Sequence, residues 1–233
     1  MKFYPTLNDY ITGQQARLAI LATANLPEQG VITRVLAAGQ TSGNAYSLTQ
    51  EVDRLSIDCL GILADRHHRS FTLSTGRERE LYHKGTSIRE HRHIFAVSGY
   101  DCRVLSERLG VAITPELLGA NIVIERDDGQ DYSLTAAPQE TYFVIAPPGI
   151  SQQPKPPIAV LVRHAQQEGC GVTGKLIADT HGKPELTKKF VDESKTHRGI
   201  VCRIEYPTPV EEQPAVLQPG QRVFFRYSMG ITP

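Results

Sequence analysis

Apolar positions in this chain fall in short runs of five to eight residues, at 31–37, 55–59, 93–98, 121–125, 141–146, 158–162, 199–206 and 222–227. Several are bounded by Gly or Pro. In Leu55-Ser56-Ile57-Asp58-Cys59 apolar and polar residues alternate with period two, the mark of a strand with one buried face. Helical spacing is rarer. Residues 100–109 place Val104, Leu105 and Leu109 on one face ahead of Gly110, a C-cap, and Thr114-Pro115-Glu116 reads as an N-cap followed by proline at the first helical position. Residues 185–194 and 14–25 supply two further helical patterns. Many strands with few helices predict a mainly β, α+β chain: a barrel or strongly bent sheet carrying peripheral helices, not a doubly wound α/β fold. Two proline-rich stretches, 147–157 and 207–219, read as exposed connections, because the segment between them is too short for a core of its own.

Bulk composition narrows the function classes. The 233 residues suit one domain spanning 1–233, with an N-terminal extension over 1–29. The 25 basic and 25 acidic residues cancel, so neither a nucleic-acid partner nor an anionic membrane is expected. No apolar stretch has the length of a membrane span and residues 1–10 lack a basic segment leading into an apolar one, so a cytoplasmic location is expected. Cys59, Cys102, Cys170 and Cys202 are far apart and form no CxxC pair, which argues against a zinc knuckle or an iron–sulfur site.

Two features carry candidate chemistry. Cys170 follows the strand-like run 158–162 and lies between Gly169 and Gly171, in what reads as a turn; a thiol there can act as a soft metal ligand or a nucleophile, or equally be an inert core filler. Residues 66–93 hold seven Lys or Arg and five His against three Glu, in a chain of zero net charge. That run is either a solvated basic loop or an anion site whose arginine forks suit phosphate or carboxylate. His67 and His68 are adjacent and diverge on an extended chain, while His91 and His93 share a face without a third ligand, so zinc is disfavoured. No nucleophile elbow, Walker loop, dinucleotide fingerprint or HExxH is present.

Five landmarks occur in order: Leu60-Gly61-Ile62-Leu63-Ala64-Asp65-Arg66-His67, then Lys84-Gly85-Thr86-Ser87-Ile88-Arg89, Leu117-Leu118-Gly119-Ala120-Asn121-Ile122-Val123, Cys170, and Pro219-Gly220-Gln221-Arg222-Val223. This order resembles the MOSC domain, the module named after the C-terminal part of molybdenum cofactor sulfurases, over about residues 30–225. The resemblance implies a MOSC-like β-barrel core and a molybdenum cofactor, with pyridoxal phosphate binding also associated. It implies Cys170 as catalytic residue and metal ligand, and Asp65, Arg66, His67, Lys84, Thr86, Arg89, Gly119 and Asn121 as cofactor-binding residues. The implied activity is reduction of N-hydroxylated compounds or sulfur transfer on a small-molecule substrate, with a separate electron-donor protein because the chain has no redox cluster of its own. The alternative is a non-catalytic carrier that keeps the fold and the anion pocket. The chain departs from the family pattern at Gly169, where a proline usually precedes the cysteine, at Ala64 in place of glycine, and at Ala120 in place of an acidic residue.

Overall fold

Strands that read as unbroken apolar runs are buried on both faces, and this places the core and the helices. The computed structural model describes residues 29–38, 48–63, 65, 68–69, 71–74, 82–151, 157–167, 169–206 and 214–226, without the Arg89 side chain. Strand β7 (Ile94–Val97) is buried at every position. Its Ile94 and Ala96 join Ile122, Ile124, Ile200, Cys202 and Ile204 in one apolar cluster, while Phe95 and Val97 join Val123 and Val201 in a second. Period-two alternation therefore sorts one set of side chains inside the sheet and the other under the helices.

The strands are β1 (Gln29–Ala38), β2 (Thr49–Val52), β3 (Leu55–Asp58), β4 (Gly61–Ile62), β5 (Phe71–Leu73), β6 (Ser87–Arg89), β7, β8 (Ile122–Arg126), β9 (Tyr142–Ala146), β10 (Ala159–Gln166), β11 (Ile200–Tyr206), β12 (Ala215–Leu217) and β13 (Arg222–Arg226). The main sheet runs β13-β9-β10-β11-β7-β8-β1-β2, and β1 also pairs with β13, so seven strands close into a barrel with β2 as an appendage. Closure leaves those seven without a free edge. Register shifts in β1 near Thr33 and in β10 near His164 bend the strands as a small barrel requires. Within the main sheet β7 and β8 are the parallel pair, joined by a helical crossover. Strands β12, β3 and β4 form a minor sheet, and β5 with β6 a two-stranded ribbon.

The crossover holds α1 (Gly99–Leu109) and α2 (Pro115–Leu118). Ser98 caps α1 by accepting from the Asp101 amide, and Gly110 closes it in the left-handed region at φ 69°. Thr114 caps α2 ahead of Pro115, in agreement with the pattern read from the sequence. The pattern at 185–194 is α4 (Leu186–Glu193), whereas that at 14–25 lies outside the described residues. One helix was not visible in the sequence: α3 (Gly171–His181), which begins in Gly-Val-Thr-Gly, four residues of poor helix propensity. The reading of Cys170 as part of a turn is corrected accordingly; it is the N-cap of this helix. Cys59, the last residue of the alternating run 55–59, sits half-buried in the turn after β3.

Candidate functional site

Cys170 reaches its position because only four residues, 167–170, separate β10 from α3, and α3 is held tightly against α4. A side chain on Gly169 would collide with Ser194 Oγ and come within 2.8 Å of the Val191 carbonyl oxygen. The glycine before the cysteine therefore serves close backbone packing on α4. Gly174, one turn into α3, is equally tight against the backbone of Thr187, while Gly171 has open space around it. Gly169→Ala is expected to lower stability by about 1–3 kcal/mol through overpacking and to shift α3 away from α4, read as a lower melting temperature and slower alkylation of Cys170.

As N-cap, Cys170 turns its sulfur toward the first turn of α3: the Thr173 amide donates to Sγ at 3.5 Å, and Thr173 Oγ1 lies 3.2 Å away. Arg198 stands behind it. Its Nη2 is 3.9 Å from Cys170 Sγ and donates to Thr173 Oγ1 at 2.7 Å. This arginine is only 2% exposed, with its guanidinium carbon 5.2 Å from the Phe190 ring centre and 6.0 Å from that of Phe95. It is fixed by the next residue: Gly199 has φ 87°, a Cβ there would strike the Ala96 carbonyl, and its amide donates to Thr135 Oγ1 at 2.7 Å. The Thr135 amide in turn donates to the buried Asp101 carboxylate, which also accepts from Ser98 and Ser133.

These contacts set the chemistry of the sulfur. Burial by itself pushes the Cys170 thiol up, but the charge of Arg198 and the hydrogen bonds from Thr173 outweigh it and bring the value from 9.0 down to about 7. Cys102 and Cys202 go the other way, pushed up to about 12 by burial. Of these three cysteines only Cys170 has substantial thiolate at neutral pH. Because its native value lies below its unfolded one, between about pH 7 and 9 the unfolded chain binds more protons than the native one. Stability should therefore rise with pH across that window, and this contribution is lost as pH falls through about 7. The check is a comparison of melting temperatures against pH for the parent and Cys170→Ser, whose difference should slope within the window and level off on either side.

The sulfur opens into a cavity of about 270 Å³ between the barrel wall and the helices. The cavity brings together four residues singled out from the sequence: Asp65, Gly119, Asn121 and Cys170. Asn121 is heavily committed, since its Oδ1 accepts from the Phe95 amide at 2.9 Å and its backbone pairs with Phe95 and Leu36, which ties β1 to β7. Lys84 and Thr86 lie in the exposed turn of the β5–β6 ribbon and are absent from the described cavity lining; Thr86 Oγ1 donates to the His83 carbonyl at 2.7 Å. Arg66 and His67 lie outside the described residues, and of Arg89 the backbone alone is described, in β6.

The cavity also holds residues that sequence reasoning passed over: Thr49, Gln167, Thr173 and Arg198. Thr49 Oγ1 and Gln167 Oε1 are buried without a hydrogen-bond partner among the described residues, so a polar ligand would find groups to satisfy there. His93, also in the wall, is a neutral imidazole, because Nδ1 accepts from the Ile204 amide at 3.1 Å and Nε2 is left to donate to the Glu90 carbonyl at 3.0 Å. No group of three or more His, Cys, Asp or Glu is arranged to hold a metal ion among the described residues. No described helix is long and apolar enough to cross a membrane.

Comparison with known proteins bears on this geometry. The family model of the MOSC domain matches residues 83–223. YuaD of Bacillus subtilis, whose name refers to metal-sulfur cluster biosynthesis, is 31% identical over 165 residues, covering 70% of this chain and 78% of YuaD. The crystal structure of YuaD superposes with a TM-score of 0.69 at 25% identity, covering 85% of this chain and 97% of that one.

Proposed function

Because the chain belongs to the MOSC domain family, we propose that Cys170 is the protein's thiolate ligand to a molybdenum cofactor in an oxidoreductase acting on small N-hydroxylated compounds. The observation that carries the proposal is a thiolate, ionised near neutral pH, in a polar-lined cavity with no cluster of metal-binding side chains among the described residues. That donor set fits a metal already chelated by an organic dithiol, because such a group needs one soft protein ligand and polar contacts for its ring. Thr49 Oγ1 and Gln167 Oε1 offer buried hydrogen-bonding capacity, and Asp65 lines the same wall. When bound, the cofactor supplies two-electron chemistry. The protein's own residues hold the thiolate ionised through Arg198 and Thr173, orient it from the first turn of α3, and shield it with Phe95, Leu118 and Val201.

Sulfur transfer is the second reading, favoured by the same low thiol value. Cys170 thiolate attacks the outer sulfur of a donor persulfide, an Sγ–S bond forms as the donor's S–S bond breaks, and the donor leaves as a thiolate. Of the four cysteines, Cys170 is the one in the described cavity lining; Cys102 and Cys202 are buried in separate clusters with values near 12, and Cys59 is half-buried in the turn after β3. The test is to purify the protein from a cofactor-producing host and measure molybdenum per chain together with cyanide-releasable sulfur. Stoichiometric molybdenum supports the first reading; releasable sulfur without molybdenum replaces it with the second; neither overturns both.

A further inference from the structure

Arg198 faces Cys170 from a stretch of backbone just short of the sheet. Strand β11 begins at Ile200, which pairs with Ala96 of β7 and Gln166 of β10, so Arg198 and Gly199 lie past the end of the ladder. The Gly199 carbonyl accepts from the Gln167 amide at 3.0 Å, which carries the contact with β10 one step further. Its amide meets a side chain instead of a strand, Thr135 Oγ1 at 2.7 Å. Thr135 is buried but is absent from the described cavity lining. It belongs to a 3-10 turn, Leu134–Ala136, whose Leu134 is completely buried in the barrel core. Asp101, fully buried in the first turn of α1, clamps that turn: its carboxylate accepts from the Leu134 amide at 3.0 Å, the Thr135 amide at 3.3 Å, Ser133 Oγ at 2.6 Å and Ser98 Oγ at 2.9 Å. Four donors on a carboxylate removed from water make a rigid anchor, because releasing one of them costs more than losing an exposed hydrogen bond.

We infer that Thr135 is a positioning residue for the Cys170 sulfur: held by Asp101, it fixes the Gly199 amide and so aims the Arg198 guanidinium at Sγ. This role rests on the Cys170 site that both readings of the function share, and requires neither the metal nor the transferred sulfur. The Gly199 amide is the point of control because its surroundings leave it no other setting. With φ at 87° and the Ala96 carbonyl where a Cβ would stand, the backbone of Gly199 is fixed by close packing, and a buried N–H without an acceptor costs about 1–3 kcal/mol. Take away the hydroxyl and the amide must turn toward another acceptor. Arg198 turns with it, since the two residues share that peptide. The guanidinium has little slack: Nη2 donates to Thr173 Oγ1 at 2.7 Å and stands 3.9 Å from Cys170 Sγ, so a displacement of about 1 Å breaks the first contact and weakens the second.

The test uses the full chain from a host that makes no molybdenum cofactor, so that its outcome is independent of the cofactor assignment. Alkylation of Cys170 by iodoacetate, an anion, is compared with alkylation by neutral iodoacetamide, the modified residue being located by peptide mass spectrometry. In the ratio of the two rates at one pH, the thiolate fraction and the nucleophilicity of the sulfur cancel, and the charge beside the sulfur remains. Thr135→Val keeps the shape and removes the hydroxyl; it should lower the iodoacetate-to-iodoacetamide ratio at least about threefold, while Thr135→Ser holds the parent's value. Arg198→Met should lower the ratio at least as far as Thr135→Val. Adding Thr135→Val to Arg198→Met should lower it no further, because the hydroxyl acts through the guanidinium. An unchanged ratio in Thr135→Val, or a further fall in the double variant, overturns the inference and leaves Thr135 a purely structural residue. An unchanged ratio in Arg198→Met overturns it as well, since the guanidinium then does not govern the sulfur. Should Thr135→Val not fold, Thr135→Ala, in which a water has room to take the Gly199 amide, is held to the same fall.

Discussion

Cys170→Ser will lose molybdenum retention and sulfur loading to background while its melting temperature near pH 7 stays within a degree or two of the parent's. Two properties of the position separate here. As an N-cap the residue accepts a hydrogen bond from the Thr173 amide, and serine is among the better residues for that task, so α3 keeps its first turn. As a ligand or nucleophile it supplies a polarisable thiolate, which an alcohol that stays protonated at neutral pH cannot replace. Cys170→Ala serves as the control, since it removes the cap together with the sulfur and should cost about 1 kcal/mol in stability. Molybdenum analysis, cyanide-releasable sulfur and thermal melts on the three proteins decide the matter. A serine variant that retains the metal moves the ligand elsewhere; one that unfolds makes Cys170 structural. Cys102→Ser, buried under the helices, should instead lose stability and keep the metal.

The barrel was legible because its strands are short apolar runs cut by Gly and Pro, and period-two burial turned that pattern into two clusters on opposite faces of one sheet. The helix after Cys170 was not, because Gly171, Val172, Thr173 and Gly174 argue against a helix one by one, and what overrides them is the close fit of Gly174 on Thr187, a tertiary contact. The thiol was legible as a candidate from its glycine neighbours, though Gly169 turned out to serve packing on α4. Asp65, Gly119 and Asn121 do line the cavity, yet they were reached through family landmarks, and no periodicity marks them. Arg198 could not be found by pattern: it is one basic residue after His197 with no motif around it, and its role depends on the left-handed Gly199 turning it inward beneath α3. The basic run resolved into separate fates. Arg69 pairs with the buried Glu90, His68 with Asp58, and Arg92 reaches the cavity, so charge density along a sequence did not amount to one anion pocket.

Arg198→Met should move the midpoint of the Cys170 alkylation profile from about pH 7 up toward 9, the ordinary thiol value. Methionine fills the same buried slot against Phe95 and Phe190 and removes only the charge and the donor. Burial then acts on the thiol against the Thr173 hydrogen bonds alone, so the midpoint rises back toward the ordinary value. At pH 7 the thiolate fraction falls from about one half to about one in a hundred, while the more basic sulfur gains roughly eightfold in intrinsic nucleophilicity, so the alkylation rate drops only about sixfold. The midpoint is therefore the decisive readout and the rate at one pH is not. Stability changes little, since the lost hydrogen bond to Thr173 costs about 1 kcal/mol and is offset by no longer burying a charge. Arg198→Lys should restore part of the shift, because an ammonium on a shorter, unforked chain cannot hold Thr173 Oγ1 and face the sulfur at once. A midpoint that stays near 7 in the methionine variant would assign the low thiol value to the N-terminus of α3 alone, and would leave Arg198 with a packing role between the two aromatic rings.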